Sequence, residues 1–493
     1  MIKRTQVTNV SVQSPLAICF VSMRSPHPHN GLIFAAVLVL AVPGSAIAQL
    51  EAGEIDPRGF GFEIPPGRVS HPENLRVLTD DEDGRPVVGQ VHAVIGAHRI
   101  VLLPAGRLVG RHRDQSPATD RRFAPASPED IERKLKADFG EGFTTKTTKN
   151  YVYAYNCSER FAFGTGRILE SMRPGVKSYV QRMRIETHTP HVPLVAIMFR
   201  TEAQFQRYRR MPPGVVAYYD TLSNHIVMYE ESRLFRTAPE LAIQQAISTI
   251  AHEGAHQILH NIGVQSRLSK WPMWLTEGLA EYFAPTTFGR RMQWKGAGQV
   301  NDLRMLELEI YIKSRSGDDA GGEMISDTAG AARLTSTGYA AAWSLTHFLA
   351  KTKRVQFAAY VREATKLKPF QGDYDVVASG IVPKNLTLFK QHFGDELSAL
   401  ENRLVAHLKK QPYTDPFAEY PHFVATIAVK EGRRVIRDAN VFHSAELANV
   451  WIEESIKKYP NVQRLSAQLN VGEVRNRLVA EQAARQFLRL GSR

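Results

Sequence analysis

The fold is decided by two stretches of the sequence, His252-Glu-Gly-Ala-His256 and Glu277-Gly-Leu-Ala-Glu-Tyr-Phe283, which are separated by 20 residues. The first lies in a predicted helix over 237–263, so its two histidines, four residues apart, project from one side of that helix. The second lies in a predicted helix over about 272–284, which Pro285 ends. Two imidazoles and a carboxylate can therefore reach one cation.

Both ends of the first predicted helix are marked in the sequence. Thr237 and Glu240 have the spacing of a capping box, and Gly263 stands where a C-terminal cap takes a positive φ. An apolar stripe runs from Ile243 to Ile258, and the histidines lie about 180–220° from its start. We expect the stripe to pack on a structural layer and the histidines to line a cleft.

The ligand types suit a catalytic zinc ion, which takes three protein ligands and keeps one open position. His252, His256 and Glu277 supply the three ligands. Glu281, one helical turn further on, is placed to accept the free ring N–H of a liganding histidine. Glu253 projects to the side of the pair, where it can act as a general base towards a water molecule whose pKa zinc lowers.

The spacing of HEGAH and the glutamate of WLTEGLAEYF resembles that of the gluzincins, the thermolysin-like and aminopeptidase-like zinc metallopeptidases. The resemblance covers about 150–365 and is nearest to uncharacterised exported bacterial members of that clan. It implies peptide hydrolysis with His252, His256 and Glu277 as ligands and Glu253 as base. The hairpin predicted at 215–229 resembles the edge-strand region that such enzymes lay against an extended substrate.

Other residues near the motif have weaker claims to chemistry. In gluzincins a downstream Tyr or His often stabilises the oxyanion, and Tyr339 is the candidate here, with Trp343 and His347 on the same helical face. A tyrosine at helical spacing is more often a core residue with a satisfied hydroxyl. His260 continues the i+4 series, but a rigid helix cannot wrap three turns around one tetrahedral ion.

Two other functions use the same residues. One is a catalytically silent zincin that binds an anionic cell-envelope polymer. The other is a zinc hydrolase of a non-peptide amide or ester. The complete ligand set and the intact Glu253 favour an active peptidase over the silent module.

The N-terminus predicts export. Residues 31–42 are an apolar run of 12, too short for a membrane span of about 20 residues, and Ala46-Ile-Ala48 follows. We predict a signal peptide over 1–48, with Met23 as an alternative start, and a periplasmic or secreted protein. No stable membrane span is expected after cleavage.

Composition and charge narrow the partners. The formal charge is +13, and Cys19 and Cys157 are the only cysteines. No disulfide framework or cysteine metal site is therefore possible. The basic residues are spread along the chain, which disfavours a nucleic-acid partner and leaves an anionic polymer open besides a peptide or protein substrate.

The predicted fold class is α+β. It has a zincin-like catalytic domain, made of a small twisted sheet, an active-site helix and a mainly helical lower subdomain, flanked by a small N-terminal β unit and a small C-terminal α+β module. A single hairpin is expected around 87–109 after an irregular stretch, residues 315–328 are expected to be a loop, and one helix is expected over 385–410. Within the C-terminal module, strands are expected at 422–429, 434–442 and 463–471, and helices at 445–458 and 473–490. The predicted segments are a signal peptide (1–48), an N-terminal lead-in with a hairpin (49–147), the metallopeptidase domain (148–411) and the C-terminal module (420–493).

Overall fold

The computed structural model describes residues 20–22, 35–37, 54–212, 214–232, 239–287, 291–314, 321–372, 374–377, 380–431, 434–443, 445–457 and 467–489. Within these ranges the protein is mixed α+β, with thirteen α-helices and six sheets. The α+β class is confirmed. Two short strands, Phe20–Ser22 (β1) and Ala35–Val37 (β2), pair antiparallel, and the rest of the predicted signal peptide lies outside the described residues.

A six-stranded antiparallel sheet, here called the N-terminal sheet, follows. Its strands are Glu54–Ile55 (β3), Gly67–Ser70 (β4), Arg76–Asp80 (β5), Pro86–Ile95 (β6), His98–Leu102 (β7) and Leu108–His112 (β8). The expectation of one hairpin after an irregular stretch was wrong, because β3, β4 and β5 precede it. These three strands have only two to five residues each, and β4 and β5 both pair with the long β6, so their pattern is too short to stand out in the sequence.

The second sheet has five strands in the order β12-β13-β11-β10-β9. Its three inner strands are parallel, and the two edge strands are antiparallel to their neighbours. The predicted boundary at 147/148 falls between β9 and β10, so it divides this sheet. The elements are Pro128–Phe139 (α1), Thr144–Thr147 (β9), Tyr151–Tyr155 (β10), Glu159–Arg182 (α2), Leu194–Thr201 (β11), Glu202–Tyr208 (α3), Ala217–Asp220 (β12) and His225–Glu231 (β13).

A mainly helical region follows the second sheet. Its elements are Pro239–Asn261 (α4), Met273–Phe283 (α5), Thr286–Thr287 (β14), Gln293–Trp294 (β15), Asp302–Ser314 (α6), Glu323–Gly330 (α7), Ser336–Thr352 (α8), Arg354–Ala364 (α9), Tyr374–Val377 (β16), Gly380–Pro383 (β17), Lys384–Phe393 (α10) and Leu397–Leu408 (α11). The two helices that bear the motifs, α4 and α5, are confirmed. Gly263 has φ +84°, as expected after α4, while Thr237 of the predicted capping box lies outside the described residues.

Two details of this region differ from the prediction. Residues 323–330 form α7 and not a loop. This helix has only eight residues, and it is stabilised by packing against α8, α10 and α11. The helix predicted from Asn385 to Lys410 is two helices. Gly394, with φ +94°, ends α10 before α11 begins.

The C-terminal module has the predicted strand and helix order. His422–Glu431 (β18) lies between Arg434–Phe442 (β19) and Ala467–Val474 (β20), and all pairs are antiparallel. Ala445–Lys457 (α12) packs its Trp451 on the face that contains Ile427. Arg477–Arg489 (α13) packs Ala480 against Val424, which points to the opposite face because its position differs by an odd number of residues.

The helices in the described part of the chain include no candidate for a membrane span, because none of them combines the length and the apolar character that crossing a bilayer requires.

Candidate metal centre

Helix α4 is buried along its motif on every side. Residues 251–259 are all buried, and His252 and His256 are each only 4% exposed. The expected open cleft on the histidine side is therefore narrower than the sequence pattern indicated. The reason is that α5 and the edge strand β12 both pack on α4, and α8 packs behind α5.

Three ligand atoms from α4 and α5 converge. His252 Nε2 lies 3.1 Å from His256 Nε2 and 3.2 Å from Glu277 Oε2, and His256 Nε2 lies 3.5 Å from the same carboxylate oxygen. Ligand atoms around a tetrahedral zinc ion with bonds of about 2.0–2.1 Å stand about 3.3 Å apart. The three predicted ligands therefore form a triangle of the size that such an ion requires.

Glu281 stands behind this triangle, as predicted. Its Oε1 lies 3.0 Å from His252 Nδ1, the ring nitrogen that faces away from Glu277. Two further groups hold the carboxylate: Asn301 Nδ2 donates to Oε2 at 2.8 Å, and the buried guanidinium of Arg304 donates to Oε1 at 2.7 Å. Glu281 is thus held by two donors besides the histidine, which orients the imidazole ring.

The electrostatics of the cluster favour a cation at the triangle. Burial alone lowers the pKa of His252, but the carboxylates of Glu281 and Glu277 outweigh it and raise the pKa to about 10. Burial likewise raises the pKa of Glu277, but His256 and His252 lower it to about 2. Buried carboxylates that stabilise positive charge at two imidazoles, in the donor set N, N, O, fit a divalent metal ion.

Glu253 is buried beside the triangle, and only one of its two carboxylate oxygens has a hydrogen-bond partner. The backbone N–H of Tyr219, on β12, donates to Oε2 at 2.7 Å, whereas Oε1 is buried without a hydrogen-bond partner. Burial raises the pKa of this carboxyl to about 7, although His252 and His256 oppose the shift. An unpartnered oxygen on a group that titrates near neutrality suits a proton acceptor.

The turn of the β12–β13 hairpin is held by side chains of α4. Asn224 has a left-handed φ of +65°, and its amide exchanges hydrogen bonds with the amide of Asn261. Gln257 Nε2 donates to the carbonyls of Val195 and Asn224 at 3.0 and 2.7 Å. These bonds fix the height of β12 above the helix, and therefore the position of Tyr219 relative to Glu253.

One pocket borders the cluster. Its wall includes Glu253, His256, Glu277 and Tyr339, together with Phe60 from the segment between β3 and β4. The Tyr339 ring centre lies 6.4 Å from that of His252, so the structure brings the predicted tyrosine to the same pocket.

The other candidates near the motif lie as follows. His347 packs between Trp343 and His407, with its Nδ1 3.1 Å from His407 Nε2, and it does not line the described pocket. His260 lines the pocket but is not part of the ligand triangle, as predicted. Its ring packs edge-on against Tyr219, with centroids 5.5 Å apart.

Gly278 allows α5 and α8 to approach closely. A Cβ at this position would stand 2.6 Å from the carbonyl oxygen of Ala342 and would overlap Thr346 Oγ1. Because Glu277 precedes Gly278, this contact also fixes how α5 presents its ligand. The partner of α5 at this glycine is α8.

Several functional contacts were not predicted from the sequence. Arg304 and Asn301, the partners of Glu281, come from the start of α6, and Tyr219 contributes only its backbone. Arg267 binds the carbonyls of Gly106, Thr221 and Leu222 and so joins the N-terminal sheet to the β12–β13 turn. The sequence does not show that Arg304 and Arg267 are buried, because the groups that bind them lie far away in the sequence.

Comparisons with known proteins add one match. The search of curated proteins found no significant relative. Residues 246–371 match the family model described as "Protein of unknown function (DUF1570)". The matched stretch contains the three candidate ligands, Glu253, Glu281 and Tyr339, so this chain is similar to that family over these residues, whereas Tyr219 and the β12–β13 turn lie outside the match.

Proposed function

We propose that the protein is a zinc-dependent peptidase of the gluzincin type. The observation that carries the proposal is the triangle of His252 Nε2, His256 Nε2 and Glu277 Oε2, with edges of 3.1–3.5 Å, beside the unpartnered Oε1 of Glu253. The three ligands would hold zinc, and when bound zinc would polarise a carbonyl and acidify water.

Glu253 would take the proton from the attacking water and pass it to the leaving amine. The Tyr219 N–H bond keeps Oε2 occupied, so the proton would move through Oε1. A base whose pKa lies near neutrality can both accept and return a proton at the working pH. Glu253 lines the pocket, through which a substrate would approach its carboxylate.

The edge strand β12 would hold an extended substrate. Tyr219 N–H points to Glu253 and not to β13, so by the alternation of antiparallel pairs the backbone groups of Ala217 and Tyr219 face away from the sheet. A peptide would pair with this edge through the carbonyl of Tyr219, because the Tyr219 N–H is held by Glu253. Tyr339, which also lines the pocket, would donate its hydroxyl to the oxyanion.

Export to the periplasm or exterior is part of the same proposal, with a peptide or protein as the substrate. The spread positive charge suits a protein that works near anionic cell-envelope polymers.

The test is cleavage of a diverse peptide library by the purified protein, with and without a chelator. We expect chelator-sensitive amide hydrolysis that zinc restores and that Glu253→Gln abolishes. Glu129→Gln, at an exposed position on α1, is the matched control and should leave the rate unchanged.

The alternatives give other results. Zinc bound at the triangle with no turnover of any amide or ester would indicate the silent binding module. Hydrolysis confined to non-peptide amides or esters would indicate the zinc hydrolase of non-peptide substrates. Failure of the chain to bind zinc would exclude all three.

A further inference from the structure

A second cluster of ligand-type side chains lies at the C-terminal module. A carboxylate oxygen of Asp415 and imidazole nitrogens of His422 and His443 all lie within 4.8 Å of one another, and all three residues are buried. Asp415 belongs to the segment that joins α11 to β18. None of these residues contacts the triangle at His252.

The hairpin of β18 and β19 brings the two histidines together. Phe423 pairs with Phe442 in this antiparallel ladder, so His422 and His443 come next as cross-strand neighbours at the open end of the hairpin. Their ring centres are 4.5 Å apart. Asp415 Oδ2 lies 3.0 Å from His443 Nε2 and 3.5 Å from His422 Nε2, which brackets the spacing of about 3.3 Å in a tetrahedral zinc site.

The Nε2 atom of His422 is left without a partner. His422 Nδ1 lies 2.8 Å from the carbonyl oxygen of Tyr420, so Nδ1 donates its hydrogen there and Nε2 presents a lone pair. This Nε2 is buried, has no hydrogen-bond partner and faces Asp415 Oδ2, which is also an acceptor. Two buried acceptors at this distance repel each other unless a proton or a metal ion lies between them, and the donor set of this cluster suits a metal ion.

Arg477 does not fill that role. Its guanidinium donates to Asp415 Oδ2 at 2.8 Å, but it also forms a bidentate pair with Glu309 on α6 and a 2.9 Å bond with Glu481. Its charge is therefore shared among three carboxylates. A carboxylate that ligates a metal commonly accepts such an additional hydrogen bond, and Arg477 fixes the orientation of Asp415 in this way.

We propose that Asp415, His422 and His443 bind a second divalent transition-metal ion, with zinc as the expected metal. Two imidazole nitrogens and one carboxylate oxygen are ligands that zinc prefers, and they leave one position for a water molecule. The ion ties the segment after α11 to the ends of two strands of the C-terminal module.

The experiment counts zinc in the full-length chain after removal of loosely bound metal. The two clusters predict two zinc ions per chain, and one each for His256→Ala and for His422→Ala. His392→Ala, at a histidine that pairs with Glu363 on another face, is the control and should retain both. This design separates the two sites, because His256→Ala reports on the proposed catalytic ion alone.

A second measurement keeps His422 in place, so its result does not depend on whether the His422 variant folds. Cobalt is added to the metal-free His256→Ala chain, in which the second cluster is intact, and visible d–d absorption of a tetrahedral ion is expected at one equivalent. Asp415→Asn in that background should remove the band. Absence of the band, or a His422→Ala chain that binds as much zinc as the wild type, would overturn the second site whatever the first one binds.

Discussion

The backbone N–H of Tyr219 and the carboxylate of Glu253 are joined by a 2.7 Å hydrogen bond. This bond links the outermost strand of the second sheet to the middle of α4. It occupies one carboxylate oxygen and leaves the other for chemistry. The strand that would bind a substrate thus also sets the position of the proposed base, and the side-chain bonds of Asn224 and Gln257 keep strand and helix in register.

Shortening the base tests this relationship. Glu253→Asp keeps the charge but removes one methylene, so the carboxylate cannot both accept from Tyr219 N–H and reach the substrate. We expect kcat to fall about 100-fold, with KM and zinc content nearly unchanged, because a displacement of about 1 Å can cost this much. Peptide hydrolysis and metal analysis measure the effect. A wild-type kcat would show that the bond does not position the base.

The carboxylate behind His252 should tune metal affinity. Glu281→Gln removes the charge 3.0 Å from His252 Nδ1 and is expected to weaken zinc binding about 10–100-fold, as replacements of such orienting groups do. Competition with a chromogenic chelator measures the affinity. Glu307→Gln is the matched control, because Glu307 pairs with the same Arg304 at 2.6 Å but is not among the groups around His252. Equal affinities in the two variants would contradict the assigned role.

The sequence predicted the three candidate ligands because each lies in a local helical pattern. An i, i+4 pair on one helix brings two imidazoles together, and the resemblance to the gluzincins indicated Glu277 on the next helix. The convergence of the two helices is a tertiary contact, which only the structure gives. The partners of Glu281 and Glu253 could not be predicted in this way. Arg304 lies on another helix and Tyr219 contributes a backbone group, so both depend on packing that local periodicity does not encode.

The same distinction applies to the fold. Of the C-terminal elements, β18, β19 and α12 were predicted within two residues of their ends, whereas β20 extends three residues beyond its predicted end and α13 begins four residues later than predicted. Short elements such as β4, β5 and α7 were not predicted, since four to eight residues give little pattern and their stability comes from neighbours. The break at Gly394 was also overlooked, although a glycine between two apolar patterns is a signal for a helix end.

Filling the space at Gly278 should destabilise the protein. In Gly278→Ala the new methyl group would meet Ala342 O and Thr346 on α8, and we expect a loss of about 1–3 kcal/mol in the free energy of unfolding. Denaturant unfolding measures it. Gly59→Ala is the control because a Cβ there meets open space, and its effect should stay within about 0.5 kcal/mol. Equal stability of the two variants would contradict the close approach of α5 and α8.

Acid should loosen the N-terminal sheet through His92. Its Nε2 lies 2.8 Å from the carbonyl oxygen of Arg267, and desolvation lowers its pKa from 6.5 to about 4, with the nearby Arg267 and His71 adding to the shift. Because the folded-state pKa lies below the unfolded one, this contribution to stability is complete above pH 6.5 and is lost as the pH falls towards 4.

His92→Gln tests this pH dependence, since the amide can still donate to the Arg267 carbonyl but does not titrate. Between pH 6.5 and 4 the variant should lose less thermal stability than the wild type. Part of the loss will remain, because burial lowers the pKa of His225 to about 4 as well. His392→Gln, outside this interface, is the control. Parallel curves for His92→Gln and the wild type would exclude His92 as a source of the acid sensitivity.

Phe60, in the segment between β3 and β4, is part of the pocket wall. Its ring packs edge-on against Phe370 with centroids 5.0 Å apart, and it lines the pocket with Glu253 and Glu277. If peptides bind there, Phe60→Ala removes apolar contact with one substrate side chain but leaves base and ligands in place. We expect KM to rise roughly tenfold for the preferred peptide with kcat little changed. Val355→Ala, at a side chain that is 79% exposed, should change neither. An unaltered KM and an unaltered side-chain preference would show that the substrate does not contact Phe60.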